Sequence, residues 1–291
     1  MFSGERIFKS IKNEVWAFDC EWIPDPQAGR VLFDLPAATP DRQSMEALWA
    51  AGGATPEEPR PFLKTVLCRV VSIAAVRRVK SHAGDVKVDL LWLPRSADDP
   101  ELSLEKNVLG KFMHALGQRQ PQLVGFNSRN ADLKILIQRS VANGLSFPEF
   151  CRRPDKPWEG VDYFARDNDC HVDLMEILSG YGAGKSVALH EIAKLSGIPG
   201  KFDSAGEEVA PMWLDGHWRE IVQYNCFDAL TTYLVWLRIA HFAGHFTTPQ
   251  YQEEQDRVKD LLLELSERAE TAFLDRYLEE WDRLLTLTNQ I

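Results

Sequence analysis

The chain has 291 residues, 45% hydrophobic and 26% charged, with a formal net charge of −10; this composition suits a soluble globular protein that buries a good core. No apolar run approaches the roughly 20 residues of a membrane helix, residues 1–10 lack the apolar centre of a signal peptide, and the five cysteines are scattered with no Cys-x-x-Cys, so neither a disulfide framework nor a zinc site is indicated and a reducing cytoplasm is expected. The acidity excludes a broad basic docking surface but not a nucleic-acid partner, because residues 250–291 carry eleven acids and five bases and the rest of the chain 32 acids and 28 bases.

Residues 15–22, Val-Trp-Ala-Phe-Asp-Cys-Glu-Trp, read as a strand. Alternation puts Val15, Ala17, Asp19 and Glu21 on one face and Trp16, Phe18, Cys20 and Trp22 on the other. Both faces begin apolar, which predicts a central strand covered on both sides. Asp19 and Glu21 then stand about 7 Å apart along it. Two such carboxylates repel, and a divalent cation between them would relieve the repulsion and the cost of burial. For these three residues alone, an exposed strand end with two solvated acids is the commoner reading.

Residues 24–61 are rich in Pro, Ala and Gly and read as a long loop insertion with one short helix at 41–50. Residues 65–79 and 86–93 are β-branched runs flanking a turn, hence paired strands. Residues 103–117 have helical spacing, with Ser103 as N-cap and Gly117 as stop. Residues 122–127 form a short strand, followed by a turn and a helix from Asp132 to about Gly144. Residues 146–169 are irregular. Residues 171–178 begin as a strand and turn helical, and 189–195 is a short helix. Asp215 is placed to cap a long helix reaching His241. On that helix Tyr224 and Asp228 share a face, away from an apolar stripe of Trp218, Val222, Ala229, Tyr233, Trp236 and Ala240, and so face solvent or a polar cleft. A final amphipathic helix or helix pair carries Val258, Leu262, Leu265, Ala269, Phe273, Tyr277, Trp281 and Leu284, a stripe expected to pack on the domain.

Three places line up: Asp19 and Glu21; Gly125-Phe126-Asn127-Ser128-Arg129-Asn130-Ala131-Asp132; and Gln223-Tyr224-Asn225-Cys226-Phe227-Asp228. Their order and spacing resemble the DEDD superfamily of 3′–5′ exonucleases in its tyrosine branch (DEDDy), and within it the stand-alone bacterial proteins related to the exonuclease domain of family B DNA polymerases. The resemblance runs from about residue 14 to 241. It implies that Asp19, Glu21, Asp132 and Asp228 bind metal and that Tyr224 positions the attacking water. Gln223 stands where the histidine branch carries its His.

The resemblance further implies an α/β fold of the ribonuclease-H-like (DnaQ-like) type, a mixed five-stranded sheet flanked by helices with the Val15 strand at its centre. Residues 1–246 would form the exonuclease domain, and 247–291 a helical C-terminal extension. An oxygen-only ligand set suits two Mg2+ or Mn2+ ions, which can hold the attacking and leaving oxygens of an in-line displacement. The expected substrate is single-stranded DNA or a frayed duplex end with a free 3′ terminus, releasing nucleoside 5′-monophosphates. An exoribonuclease acting on short RNA and an inert nucleic-acid-binding protein on the same fold are the alternatives. Phe126, Asn127, Cys20 and Trp22 are the expected substrate contacts. Association with a polymerase or repair protein has no readable signal. Residues 180–186 imitate a phosphate loop, but Ser179 replaces its first Gly and a simple turn is expected. Arg152, Arg153, Lys156, Trp158, Tyr163, Phe164 and Arg166 interleave base and aromatic, either a single-strand contact or an ordinary polar loop. His171 and Asp173 are expected to make structural hydrogen bonds.

Overall fold

The computed structural model describes residues 7–156, 159–165, 168–180, 186–202 and 208–288. Its centre is a mixed five-stranded sheet ordered β3-β2-β1-β4-β5. The strands are β1 (Glu14–Pro24), β2 (Cys68–Lys80), β3 (Val86–Leu93), β4 (Gln122–Gly125) and β5 (His171–Asp173). β1 pairs antiparallel with β2 and parallel with β4. The central place expected for β1 is the one observed.

The alternation along β1 divides the core. Val15 and Ala17 pack on one face in a large cluster with α9 (Trp218–Phe242), α10 (Thr248–Ser266) and α11 (Leu274–Thr288). Trp16, Phe18 and Cys20 pack on the other with α3 (Glu105–Arg119) and α4 (Asp132–Ala142). A register shift between Glu21 and Trp22 marks a bulge just beyond the two acids, a device that re-aims side chains at strand ends.

Helix α9 is buried along nearly its whole length, from Ile221 to Ala240, and the end of the expected stripe is reversed, since Trp218 is 40% exposed. The sheet covers one side of the helix and the C-terminal pair the other, so only its two ends and the half-buried Gln223 and Arg238 meet solvent. Of the C-terminal stripe, Val258, Leu262, Leu265, Tyr277, Trp281 and Leu284 are buried, Phe273 packs half-buried on the same core and Ala269 is exposed. A buried ion pair from Arg78 on β2 to Glu254 on α10 ties this pair to the sheet, with contacts of 2.9 and 2.5 Å.

The segment 24–61 departs from the expected loop. It holds α1 (Pro26–Leu32) as well as α2 (Asp41–Ala51). Asp25 caps α1 by accepting from the Gln27 N–H, with Pro26 in the first turn, the usual helix-start chemistry. The two helices touch at Gly29, where a Cβ would come within 2.4 Å of Ser44 Oγ. The described residues also form short helices α5 (Pro148–Cys151), α6 (Leu174–Leu178), α7 (Leu189–Leu195) and α8 (Val209–Leu214) and a 3-10 turn at Thr65–Leu67. Two expected caps fail: Leu104, not Ser103, precedes α3, and His217, not Asp215, precedes α9, because Asp215 ends α8. Among the described residues no helix is long and apolar enough to cross a membrane.

Candidate active site

Asp19 and Glu21 lie toward the C-terminal end of β1 on the face that α9 covers. Tyr224 and Asp228 project from α9, and Asp132 opens α4 directly after the turn that follows β4. Asp19, Glu21 and Asp228 each offer a carboxylate oxygen within 4.8 Å of the others. Asp132 stands beside this trio and repels Asp19 and Glu21 electrostatically. Glu21, Asp132 and Asp228 are buried, and Asp19 is half-buried.

Four acids so placed resist ionisation. Burial pushes Asp19 and Glu21 well above the carboxylate range, and their acidic neighbours push them further. Burial raises Asp132 to about 7 and Asp228 to about 6. The ammonium of Lys201 opposes the rise at Asp19, Glu21 and Asp228, and it lies 5.9 Å from the Tyr224 ring.

Two of the four acids are tethered by hydrogen bonds. The Cys20 N–H donates to Asp132 Oδ1 at 3.0 Å. Asn225 Nδ2 donates to Asp19 Oδ2 at 2.7 Å. The Tyr224 phenol lies close enough to Asp228 to favour its ionised form. Burial and the neighbouring acids raise the Tyr224 phenol, so it stays protonated.

The turn before Asp132 is built tightly. A Cβ on Gly125 would fall 2.3 Å from the Ser128 side chain, so glycine is required there. Asn127 takes a left-handed φ of 59°, which Asn tolerates. Asp173 clamps the turn by accepting from the Asn127 and Arg129 N–H groups, both at 2.9 Å. His171 meets Ser128 Oγ at 2.8 Å, and burial lowers its pKa to about 3, so the ring is neutral. The structural role expected of His171 and Asp173 is therefore the one observed.

Phe126 and Asn127 sit half-buried at this turn. The Cys20 side chain must be withdrawn as a substrate contact, whereas Trp22 is half-buried. The Cys20 side chain is 3% exposed in the core on the opposite face of the sheet, and Trp22 packs against that same core; what Cys20 gives the site is its backbone N–H. The basic and aromatic loop is mostly self-satisfied. Arg152 pairs with Glu149, Arg153 with Asp162 and Lys156 with Glu159, while the buried Tyr163 donates to the Pro121 carbonyl at 2.7 Å. Trp158 and Arg166 lie outside the described residues, as does 181–185 of the phosphate-loop imitation.

The donor set fits a hard divalent cation: carboxylate oxygens converge, and burial penalises their charge until a cation offsets it. Residues 60–281 match the family described as a predicted 3′–5′ exonuclease related to the exonuclease domain of PolB. The chain belongs to that family. The match holds Asp132, Tyr224 and Asp228 but begins after Asp19 and Glu21, which the fold brings beside Asp228. A similar solved structure is the family B DNA polymerase from the hyperthermophilic archaeon Pyrobaculum calidifontis, 17% identical with a TM-score of 0.45. That match covers 88% of this chain and 29% of the polymerase, so the exonuclease-family chain spans less than a third of it. No curated protein matches the chain.

Lys201 and Asn225 are site residues that motif reading passed over. Asn225 is detectable in principle, since at about 100° per residue it lies about 60° round the helix from Asp228. Lys201 lies in a loop with no periodicity to mark it.

Proposed function

We propose that this chain is a two-metal-ion 3′–5′ exonuclease of the tyrosine branch, hydrolysing single-stranded DNA from its 3′ end to nucleoside 5′-monophosphates. The observation that carries the reading is the convergence of Asp19, Glu21 and Asp228 oxygens within 4.8 Å, with Tyr224 one helical turn before Asp228 on α9. Asp19, Glu21 and Asp228, with Asp132 beside them, would hold Mg2+ or Mn2+. Bound there, such ions stabilise charge on the attacking and leaving oxygens and lower the pKa of water. Tyr224, protonated at neutral pH, orients the attacking water as a hydrogen-bond partner rather than as a base. Lys201 supplies a positive charge at the edge of the cluster that draws in the phosphodiester. Phe126 and Asn127, at the turn before Asp132, are placed to meet the terminal nucleotide.

The test uses linear single-stranded DNA and RNA, the same DNA blocked by a 3′-phosphate, and a closed circle, with chromatography of the products. Loss of 5′-mononucleotides from the free linear strand alone supports the reading. Efficient cutting of the circle contradicts it, and faster loss of RNA than DNA would reassign the substrate.

A further inference from the structure

We infer that Asn225, anchored by Ser72, is a positioning residue that fixes the Asp19 carboxylate for cation binding; this rests on the metal-binding reading of the acid cluster. Asn225 and Ser72 are both 0% exposed. Asn225 Nδ2 donates to Asp19 Oδ2 at 2.7 Å, and its Oδ1 accepts from Ser72 Oγ at 2.8 Å. Ser72 sits directly opposite Glu21 in the β1–β2 register. The relay therefore joins three elements: β2 through Ser72, α9 through Asn225 and β1 through Asp19.

An unheld Asp19 has reason to swing away. It is half-buried among Glu21, Asp132 and Asp228, all of which repel it. A fixed donor at Oδ2 removes that freedom, and among the described residues no donor meets its other oxygen, which is left for a cation. The choice of an amide matters. A Lys or Arg in this place would hold Asp19 equally well but would bring a positive charge that competes with the divalent ion. Asn225 orients without adding charge. Its orientation suits the cation-bound site: an Asp19 ionised beside a cation only accepts, so the NH2 faces it, and the Ser72 hydroxyl is free to donate to the remaining oxygen.

The alternative is that Asn225 only fills space beneath α9. Asn225→Leu, similar in size and without a donor, separates the two. The measurement is a calorimetric Mn2+ titration of the full chain, with the metal-free thermal midpoint recorded alongside. The expected result is Mn2+ affinity weakened about 10- to 100-fold, the usual effect of removing a partner that orients a metal ligand. The metal-free midpoint should fall modestly, because the buried Ser72 hydroxyl loses its acceptor, with the chain still folded, and saturating Mn2+ should restore most of the single-turnover rate. Unchanged Mn2+ affinity overturns the inference. If Asn225→Leu does not fold, Ser72→Ala carries the same test: affinity should fall by a smaller factor, and an unchanged value overturns the relay. Asp228→Ala is the control. If it binds Mn2+ as wild type does, the cluster reading has failed and this inference fails with it, whereas a loss in Asp228→Ala alone rejects the role of Asn225 by itself.

Discussion

Asp19, Glu21 and Asp228 bring their oxygens within 4.8 Å of one another with little solvent to screen them. Asp19→Ala or Asp228→Ala should therefore abolish cleavage while the metal-free thermal midpoint holds or rises, because each change relieves repulsion. Wild-type cutting by either variant would remove that residue from the site. Tyr224 makes a subtler prediction. Tyr224→Phe keeps the ring and the ligand set, so Mn2+ affinity should barely change. Water positioning is lost, and kcat should fall roughly 10- to 1000-fold with little change in KM, as for a group acting mainly in the transition state. Single-turnover cleavage at saturating metal is the check, and an unchanged rate would make Tyr224 a packing residue. Most of this cluster was legible because its members carry acids or a phenol at spacings set by strand and helix periods. Helical periodicity placed Asn225 near the Asp228 face but not its partners, Asp19 and Ser72, which lie far away in the chain, and nothing marked Lys201.

Among the elements, β1 was readable because a strand covered on both faces alternates visibly between two apolar sets, and Trp16 and Val15 do go to opposite cores. Helix α9 was half-readable. Its length shows, but a helix covered on nearly all sides has no polar stripe to mark its orientation, and Trp218 misled. Helix α1 was missed although Asp25 and Pro26 carry its start signal, because the surrounding Pro and Gly content suggested a loop. The link between β2 and α10 was invisible in sequence, since Arg78 and Glu254 lie 176 residues apart. Both side chains are 4% exposed, so Glu254→Ala leaves a buried Arg78 charge uncompensated and should destabilise by about 3–5 kcal/mol. Chemical denaturation measures this, and a loss well below about 1 kcal/mol would mean that water reaches the pair.

For the whole molecule, the acid cluster makes stability depend on pH and metal together. Asp132 at about 7 and Asp228 at about 6 bind protons more tightly folded than unfolded, where a carboxylate titrates near pH 3.9. Ionising them costs folded-state stability, so the metal-free protein should gain stability as the pH falls from about 8 to about 6.5. Below that His171 opposes the gain: its folded value of about 3 lies under the unfolded one, so stability is lost as the unfolded ring takes up protons. In saturating Mn2+ the trend between about pH 6.5 and 8 should reverse, because cation binding requires the carboxylates ionised. Thermal midpoints across this range, with and without metal, check both slopes, and identical slopes would contradict a metal-binding cluster. The central claim is tested most directly by the products of 5′-labelled single-stranded DNA in Mg2+ or Mn2+, with and without chelator. The expected result is a ladder of 5′-labelled strands shortened from the 3′ end, absent in chelator and absent with Asp228→Ala. Release of the labelled 5′ nucleotide first, or a ladder that persists in excess chelator, would contradict it.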